Sequence, residues 1–290
     1  MNMPLRRWGT ALTLTLLAGA ASACSVPQER TPPAAPVQLA VPEPGEEARR
    51  LMVPFDAYNF SPAEIMTLEV AEDLLIRDCM QGRGLTWQAL PGPPANESAP
   101  PNRRRYGVIE PRIVDVYGYR PPPDRPAVLA RKTNDLAARI TAAPPEVKKA
   151  AKRCLDQARD KLADGAPKAD AGFFSRTIFA SFDASKRDKK VVQAFRSWST
   201  CMAGEGFRYP DPLAAITDAR WGTKELSEKE IRTAQTDLRC KERSGLVAIW
   251  AAAENRIQND IITAHPDKFR ALKAVKEMQL SAARRVIAGK

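Results

Sequence analysis

The sequence predicts a mainly α fold of two disulfide-stapled helical modules, with a proline-rich irregular loop and an extended N-terminal tether. Apolar residues recur at helical spacing along several segments, and no run of alternating β-branched residues predicts a strand. Two stretches, 79–87 and 201–209, both read Cys-Met-x-Gly-x-Gly-apolar-x-aromatic. We interpret them as a duplicated module, in which one helix ends at a cysteine and a glycine exit and a second helix brings the partner cysteine.

Residues 1–23 of the 290-residue chain have the pattern of a signal peptide. Arg6 and Arg7 precede a short apolar run, and Ala21-Ser22-Ala23 stands directly before Cys24. Ordinary cleavage and lipoprotein processing would both cut before Cys24, and a cysteine at that position favours its acylation. The expected location is the outer face of the cytoplasmic membrane, with a lipid on Cys24 as the anchor.

The chain is basic. Removing residues 1–23 takes away two arginines and no acid, so the formal net charge falls from +11 to +9. Such an excess concerns partners and solubility rather than fold. It predicts attraction to anionic lipid headgroups or an anionic wall polymer, or else a basic surface that is only solvated. An envelope protein is the other candidate partner.

Residues 24–54 are predicted to be a disordered linker between the lipid and the folded body. Seven prolines occur between Ser25 and Pro54, with little apolar content. Such a composition cannot bury enough surface to offset its ordering entropy. We therefore expect the folded body to begin at residue 55.

Residues 55–165 are predicted to form the first helical module. Ser61-Pro62-Ala63-Glu64 is a capping box with proline at the first helical position, and the helix behind it carries Cys79 on its buried face. Further helices are predicted over 128–140 and from Pro145 to Gly165.

A proline-rich insertion lies inside this module. Residues 88–126 contain ten prolines among 39 residues, which excludes long helices. Arginines alternate with tyrosines at 103–107 and 117–120, a composition that can hold nucleic acid. Because the protein is predicted to be exported, we interpret the insertion as a solvated surface loop and expect no nucleic acid partner.

Residues 166–290 are predicted to form the second helical module, with long C-terminal helices. A helix is expected to start at Ser185 or Asp188, and Ser227-Glu228-Lys229-Glu230 is a second capping box that begins a long helix. This helix must bend or stop at His265-Pro266. An aromatic cluster at the start of the module is expected to fill a core: Phe173, Phe174, Ile178, Phe179 and Phe182.

Four cysteines remain when Cys24 is acylated, and they are expected to form disulfides. They are Cys79, Cys154, Cys201 and Cys240. An even number in an oxidising compartment favours disulfides, and four cysteines allow three pairings. The duplication favours the pairs 79–154 and 201–240. No metal site is expected, because the cysteines lack close-spaced ligand pairs and the chain has a single histidine.

The chain resembles a group of exported actinobacterial proteins, many of them lipoproteins, that carry duplicated Cys-Met-x-x-x-Gly helical modules. The resemblance extends over about residues 54–265. It implies a location and a fold type and carries no catalytic residue. Its motifs are Pro54-Phe55-Asp56-Ala57-Tyr58, Ser61-Pro62-Ala63-Glu64, Arg77-Asp78-Cys79-Met80, Arg105-Tyr106-Gly107, Tyr117-Gly118-Tyr119, Cys201-Met202 and a late cysteine before an Ala-, Glu- and Gln-rich helix.

No catalytic residue, cofactor or metal ligand is predicted. His265 precedes a proline at a helix break, where a turn residue is the simpler interpretation. Two carboxylate pairs, Asp73 with Asp78 and Glu225 with Glu228, are explained by exposed helix faces. We therefore expect a non-catalytic binding or accessory lipoprotein of the cell envelope. The alternative is an envelope-active hydrolase with a carboxylate-based site.

Overall fold

Every regular element in residues 41–289, which a computed structural model describes, is a helix. The predicted mainly α class is confirmed. The first seven helices are α1 (Glu46–Arg49), α2 (Pro62–Gln81), α3 (Pro111–Tyr117), α4 (Pro126–Thr133), α5 (Leu136–Ala142), α6 (Pro145–Ala163) and α7 (Ala171–Lys186). Five follow: α8 (Lys189–Gly204), α9 (Pro212–Ile216), α10 (Glu228–Ser244), α11 (Leu246–Ala264) and α12 (Pro266–Ala288). Short 3-10 turns occur at Pro54–Ala57, Ala95–Glu97 and Ala219–Trp221.

Both predicted disulfides are confirmed. Cys79–Cys154 joins α2 to α6, and Cys201–Cys240 joins α8 to α10, each with a Cα–Cα distance of 5.7 Å. The bridges therefore staple the helix pairs that the duplication predicts.

The duplicated glycine exits also fold alike. Gly84 and Gly206 adopt positive φ of 71° and 85°. The next amide then donates back to the methionine carbonyl: Leu85 N to Met80 O at 3.0 Å, and Phe207 N to Met202 O at 2.9 Å. This geometry closes the helix end and turns the following apolar residue toward the core.

Two large cores hold the body together. The first lies between α2, α6 and α12 and includes Ile76, Met80 and Ala283. The second is built on α8, α10 and α11, with Trp198 and Trp250 fully buried at its centre.

The two cores do not divide the chain at residue 165. Helix α12, from the second half, packs on α2 and α6 of the first. Conversely, Tyr106, Val108 and Tyr119, from the proline-rich insertion, are buried in the second core. A smaller cluster also joins distant parts of the sequence, since Phe55 packs against the Phe269 ring at 5.3 Å. Residues 41–290 accordingly form one compact unit.

The folded body begins earlier than the sequence predicts. Ala48, Leu51 and Val53 are buried, and Ala48 and Leu51 belong to the second core. Polar contacts also dock this segment, since Gly45 N donates to Glu110 Oε1 and Asn102 Nδ2 donates to the Leu51 carbonyl. The predicted signal peptide, Cys24 and the predicted linker up to residue 40 lie outside the described residues.

Three further expectations need correction. The helix predicted over 128–140 is interrupted at Asn134, which caps α4. The long helix behind Ser227 breaks at Gly245, whose φ is +63°. Phe179 does not fill a core, because it lies on the outer face of α7 and is 73% exposed.

Within residues 41–289, no helix is both long enough and apolar enough to span a membrane.

Candidate functional site

Glu254, a fully buried residue of α11, is the centre of a network of hydrogen bonds. Arg105 donates to both carboxylate oxygens, including an Nε–Oε2 bond of 2.9 Å. The Tyr106 hydroxyl donates to Oε2 at 2.8 Å, and Gln258 Nε2 donates to Oε1 at 2.8 Å. Four donors therefore satisfy this carboxylate, which leaves no acceptor position for a substrate.

The environment of Glu254 also fixes the protonation of Tyr106. Burial, with the adjacent carboxylate, raises the pKa of the Tyr106 phenol far above its ordinary value. The phenol stays a hydrogen-bond donor at any physiological pH. Gln258 extends the network, because its Oε1 accepts from the Phe55 amide at 2.9 Å. The network therefore links α11 to two distant segments. Arg105 and Tyr106 connect it to the proline-rich insertion, and Phe55 connects it to the start of the body.

A second buried ion pair joins Asp237 and Lys241 one turn apart on α10, at 2.9 Å. Lys241 Nζ also donates to the Val108 carbonyl at 2.9 Å, and Trp198 Nε1 donates to Asp237 Oδ1 at 2.9 Å. Burial raises the pKa of Asp237 and lowers the pKa of Lys241. Gly107 makes room for the ammonium, because a Cβ there would lie 2.7 Å from Nζ.

The first module contains a similar arrangement around Asp73. This fully buried carboxylate accepts from Trp87 Nε1, Leu90 N and Arg139 Nη1, each at 2.8 Å. Arg139 also lies over the Trp87 ring, 4.6 Å from its centroid. Each module thus anchors a buried tryptophan to a buried aspartate that is compensated by a cation.

Glu230 is the one of these buried carboxylates with an unsatisfied oxygen in the described part of the chain. Arg120 approaches its Oε2 at 3.3 Å, while Oε1 has no hydrogen-bond partner. A Cβ at Gly118 would lie 3.2 Å from the Glu230 side chain. Glu230 is fully buried, so its free oxygen is not open to solvent.

The two carboxylate pairs noted in the sequence were expected on exposed helix faces. Asp73 is buried, so that interpretation is wrong for it, while Asp78 accepts from Arg77. Glu225 and Glu228 are exposed, as expected. His265 is exposed and makes an edge contact with a phenylalanine ring at 5.1 Å. The described residues contain no group of three or more His, Cys, Asp or Glu side chains placed to hold a metal ion.

The prediction that the proline-rich insertion is a solvated surface loop is also wrong for the arginines at 103–105. Arg103 pairs with Glu110 at 2.5 Å, Arg104 donates to the Tyr119 carbonyl, and Arg105 binds Glu254. The signal for this burial was a lone glutamate in an otherwise apolar stretch of α11, Ala251-Ala252-Ala253-Glu254. Such a glutamate needs a partner when it is buried, but the sequence does not show which of the 45 basic residues supplies it.

A polar cleft of about 370 Å³ opens between α2, α4, α5 and α6. Glu69 lies 3.7 Å from the buried Arg131, and Glu72 lies 3.3 Å from Arg159. Burial raises the pKa of Glu69, although Arg131 acts in the opposite direction. The polar cleft therefore presents both signs of charge: Glu69, Glu72, Arg131, Asp135, Arg139 and Arg159.

A larger depression of about 920 Å³ lies between the start of α8 and the outer face of α11. Its floor is apolar and shallow and consists of Ala248, Ile249, Ala252 and Ala253. Its rim is basic and consists of Arg187, Lys189, Lys190 and Arg256. We call it the basic groove. The one acidic residue at its edge, Asp188, caps α8 and binds Arg256 at 2.6 Å.

Comparison of the chain with protein-family models, curated proteins and solved structures gave no match. The functional argument therefore depends on the geometry of the described residues.

Proposed function

We propose that the protein is a non-catalytic binding or accessory lipoprotein of the cell envelope, held at the outer face of the cytoplasmic membrane by a lipid on Cys24. The observation that carries the proposal is the contrast between its buried and its open polar groups. Glu254, Asp237 and Lys241 are buried, and their hydrogen bonds go to other groups of the protein rather than to solvent. The open surface instead offers the basic groove, whose rim can bind an anionic partner.

The location is supported by two independent features. The two disulfides are consistent with an exported protein, because such bonds persist in oxidising compartments. The Ala21-Ser22-Ala23-Cys24 sequence supports acylation. Mass spectrometry of the mature N-terminus tests this directly: we expect a lipidated Cys24, and an unmodified cysteine or a different start would contradict the anchor.

The expected partner is an envelope protein or an anionic wall polymer. It is tested by pull-down from envelope extract with residues 25–290 as bait, at low and high salt. Capture of one protein that resists high salt favours a specific partner. Unselective capture that disappears at 1 M salt, where the Debye length is about 3 Å, would mean that the positive charge marks no specific binding site.

A hydrolase is the second candidate, and one observation favours it. Glu69 is a carboxyl in an open cleft whose pKa is raised by burial, which is a property of general acids. A panel of envelope substrates tests this possibility. Turnover that is lost in Glu69→Gln and kept in the exposed control Glu228→Gln would overturn the non-catalytic proposal.

A further inference from the structure

We infer that α7, α8 and α11 carry a membrane-docking surface, which lays the body on anionic lipid headgroups with Phe179 as the inserted side chain. This inference deepens the proposed function and rests on its location beside the membrane. It does not rest on the identity of any protein or polymer partner.

Phe179 is the first observation. It is 73% exposed, more than any other large apolar side chain in residues 41–289. Its neighbours in sequence behave differently, since Phe174 is buried and Phe182 stacks on Trp250 at 5.4 Å. Aromatic side chains that protrude from a polar surface are suited to the boundary between headgroups and acyl chains.

One cation of α7, Lys186, lies on the same side of the helix as Phe179. Lys186 follows seven residues later, which places it about 20° around the helix and about 10 Å along its axis. Lys186 binds Asp183 at 2.6 Å, and Asp183 lies between it and Phe179 on this side. The chain then turns through Arg187 into α8, so the exposed aromatic leads directly to the rim of the basic groove.

The cations at this turn are poorly compensated. We call Lys186, Arg187, Lys189, Lys190 and Arg256 the basic corner. Arg256 binds Asp188, but Arg187, Lys189 and Lys190 have no ion-pair partner within the part of the chain that the structure describes. Each is exposed. Lipid phosphates can approach all three without displacing an existing contact.

The shape of the groove favours a lipid surface over an acidic protein. Its floor consists of three alanines and Ile249, and it has no deep pocket for an anchoring side chain. Protein interfaces draw most of their affinity from large side chains in such pockets. Binding of a protein to a bilayer needs only accessible cations and one apolar group. A basic patch also makes the attachment of a lipid-anchored protein more stable.

The anchor permits this orientation. Residues 25–40 extend at most about 55 Å, at roughly 3.4 Å per residue. A body of this length has a radius of gyration of about 18 Å. Lipid on Cys24 therefore leaves enough chain for the basic corner to reach the same bilayer.

The test is sedimentation of unlipidated residues 25–290 with vesicles. One vesicle is pure phosphatidylcholine, and the other contains equal parts phosphatidylcholine and phosphatidylglycerol. We expect binding to the anionic vesicle only, and release at 1 M salt because the Debye length falls to about 3 Å. Binding to both vesicles alike would overturn the role of the basic corner.

Two variants assign the contact. Arg187→Glu/Lys189→Glu/Lys190→Glu is expected to bind at least roughly 100-fold more weakly, because each basic residue near an anionic surface contributes roughly fivefold and the new carboxylates are repelled. Phe179→Ala is expected to bind about tenfold more weakly with the same salt dependence, since it removes an apolar contact. All four side chains are exposed, so circular dichroism should show unchanged folding.

The matched control is Lys149→Glu/Lys152→Glu/Arg153→Glu on α6, which makes the same change of charge at three exposed cations. It is expected to bind within about threefold of the parent, because the contact requires proximity within the Debye length of about 8 Å. An equal loss in this control would overturn the docking surface and leave only general attraction.

Other outcomes separate this inference from the proposed function. Failure to bind anionic vesicles, with an acidic envelope protein captured through Arg187, Lys189 and Lys190, would make the basic corner a protein interface and overturn the lipid assignment. An unlipidated native N-terminus would overturn the anchor, while vesicle binding by residues 25–290 would still support the docking surface.

Discussion

At the scale of single residues, buried charged side chains connect distant parts of the body. Glu254 is fully buried, and a bidentate contact with Arg105 together with two neutral donors compensates it. Desolvating such a pair costs several kcal/mol per ion, which the mutual attraction and hydrogen bonds must offset. The arrangement therefore contributes more to which segments meet than to net stability.

Arg105→Ala is expected to lower the free energy of unfolding by about 3–5 kcal/mol, because it leaves the Glu254 carboxylate buried without its cation. The matched control is Arg232→Ala, which removes an exposed pair with Glu228 and should cost about 0–1 kcal/mol. Urea denaturation measures both. Equal losses in the two variants would show that Glu254 is compensated without Arg105.

Tyr209 provides a prediction on pH. Its burial and its bond to Asp218 raise the pKa of the phenol to about 12. Since this lies above the ordinary value of about 10, the phenol's contribution to stability is complete below pH 10 and is lost as the pH rises toward 12. The difference in phenolate absorbance between the protein and Tyr209→Phe should have its midpoint at about 12. A midpoint near 10 would contradict the buried hydrogen bond.

At the scale of elements, the start of α2 shows a helix end that is specified locally. Ser61 Oγ accepts from the Glu64 amide at 3.3 Å, and Glu64 Oε2 accepts from the Ser61 amide at 2.7 Å. Lys276 of α12 also binds Glu64 at 3.0 Å. This capping box therefore fixes the start of α2, and its glutamate also holds α12 against α2.

Ser61→Ala is expected to destabilise the protein by about 1 kcal/mol, because one amide in the first turn of α2 loses its acceptor. Ser175→Ala, at an exposed position inside α7, is the control and should change stability by less than about 0.5 kcal/mol. Thermal denaturation compares the two. A loss in Ser61→Ala no larger than in the control would mean that water satisfies the amide equally well.

At the scale of the whole molecule, the halves are interleaved rather than stacked. Helix α12 completes the first core, and the proline-rich insertion completes the second. Neither half buries its apolar residues without a segment from the other. Such a body should unfold as one cooperative unit, although the sequence has two modules.

Removal of either disulfide tests this cooperativity. Cys79→Ala/Cys154→Ala and Cys201→Ala/Cys240→Ala open loops of 75 and 39 residues, and each is expected to cost about 4 kcal/mol on the chain-entropy model. Both variants should shift a single transition that far-UV circular dichroism and tryptophan fluorescence report alike. Two separate transitions, of which each variant moves only one, would show independent modules.

Features that depend on neighbours along the chain could be predicted from the sequence. Helical periodicity predicted the class, the capping box at Ser61 predicted a helix start, and the duplicated Cys-Met motif predicted both disulfide pairs. These features follow from local backbone geometry and from a repeat that is visible in the letters. The break at Gly245 was missed because an isolated glycine is also tolerated within a helix.

Which charged side chains are buried and which are exposed could be read only from the packed helices. Arg105 and Glu254 are 149 residues apart, and no local pattern joins them. Phe179 and Phe174 belong to one aromatic cluster in the sequence, yet packing buries one and exposes the other. The reason is physical: burial of a side chain depends on which distant helix covers its face, and α12 and the insertion cross between the two modules to provide that cover.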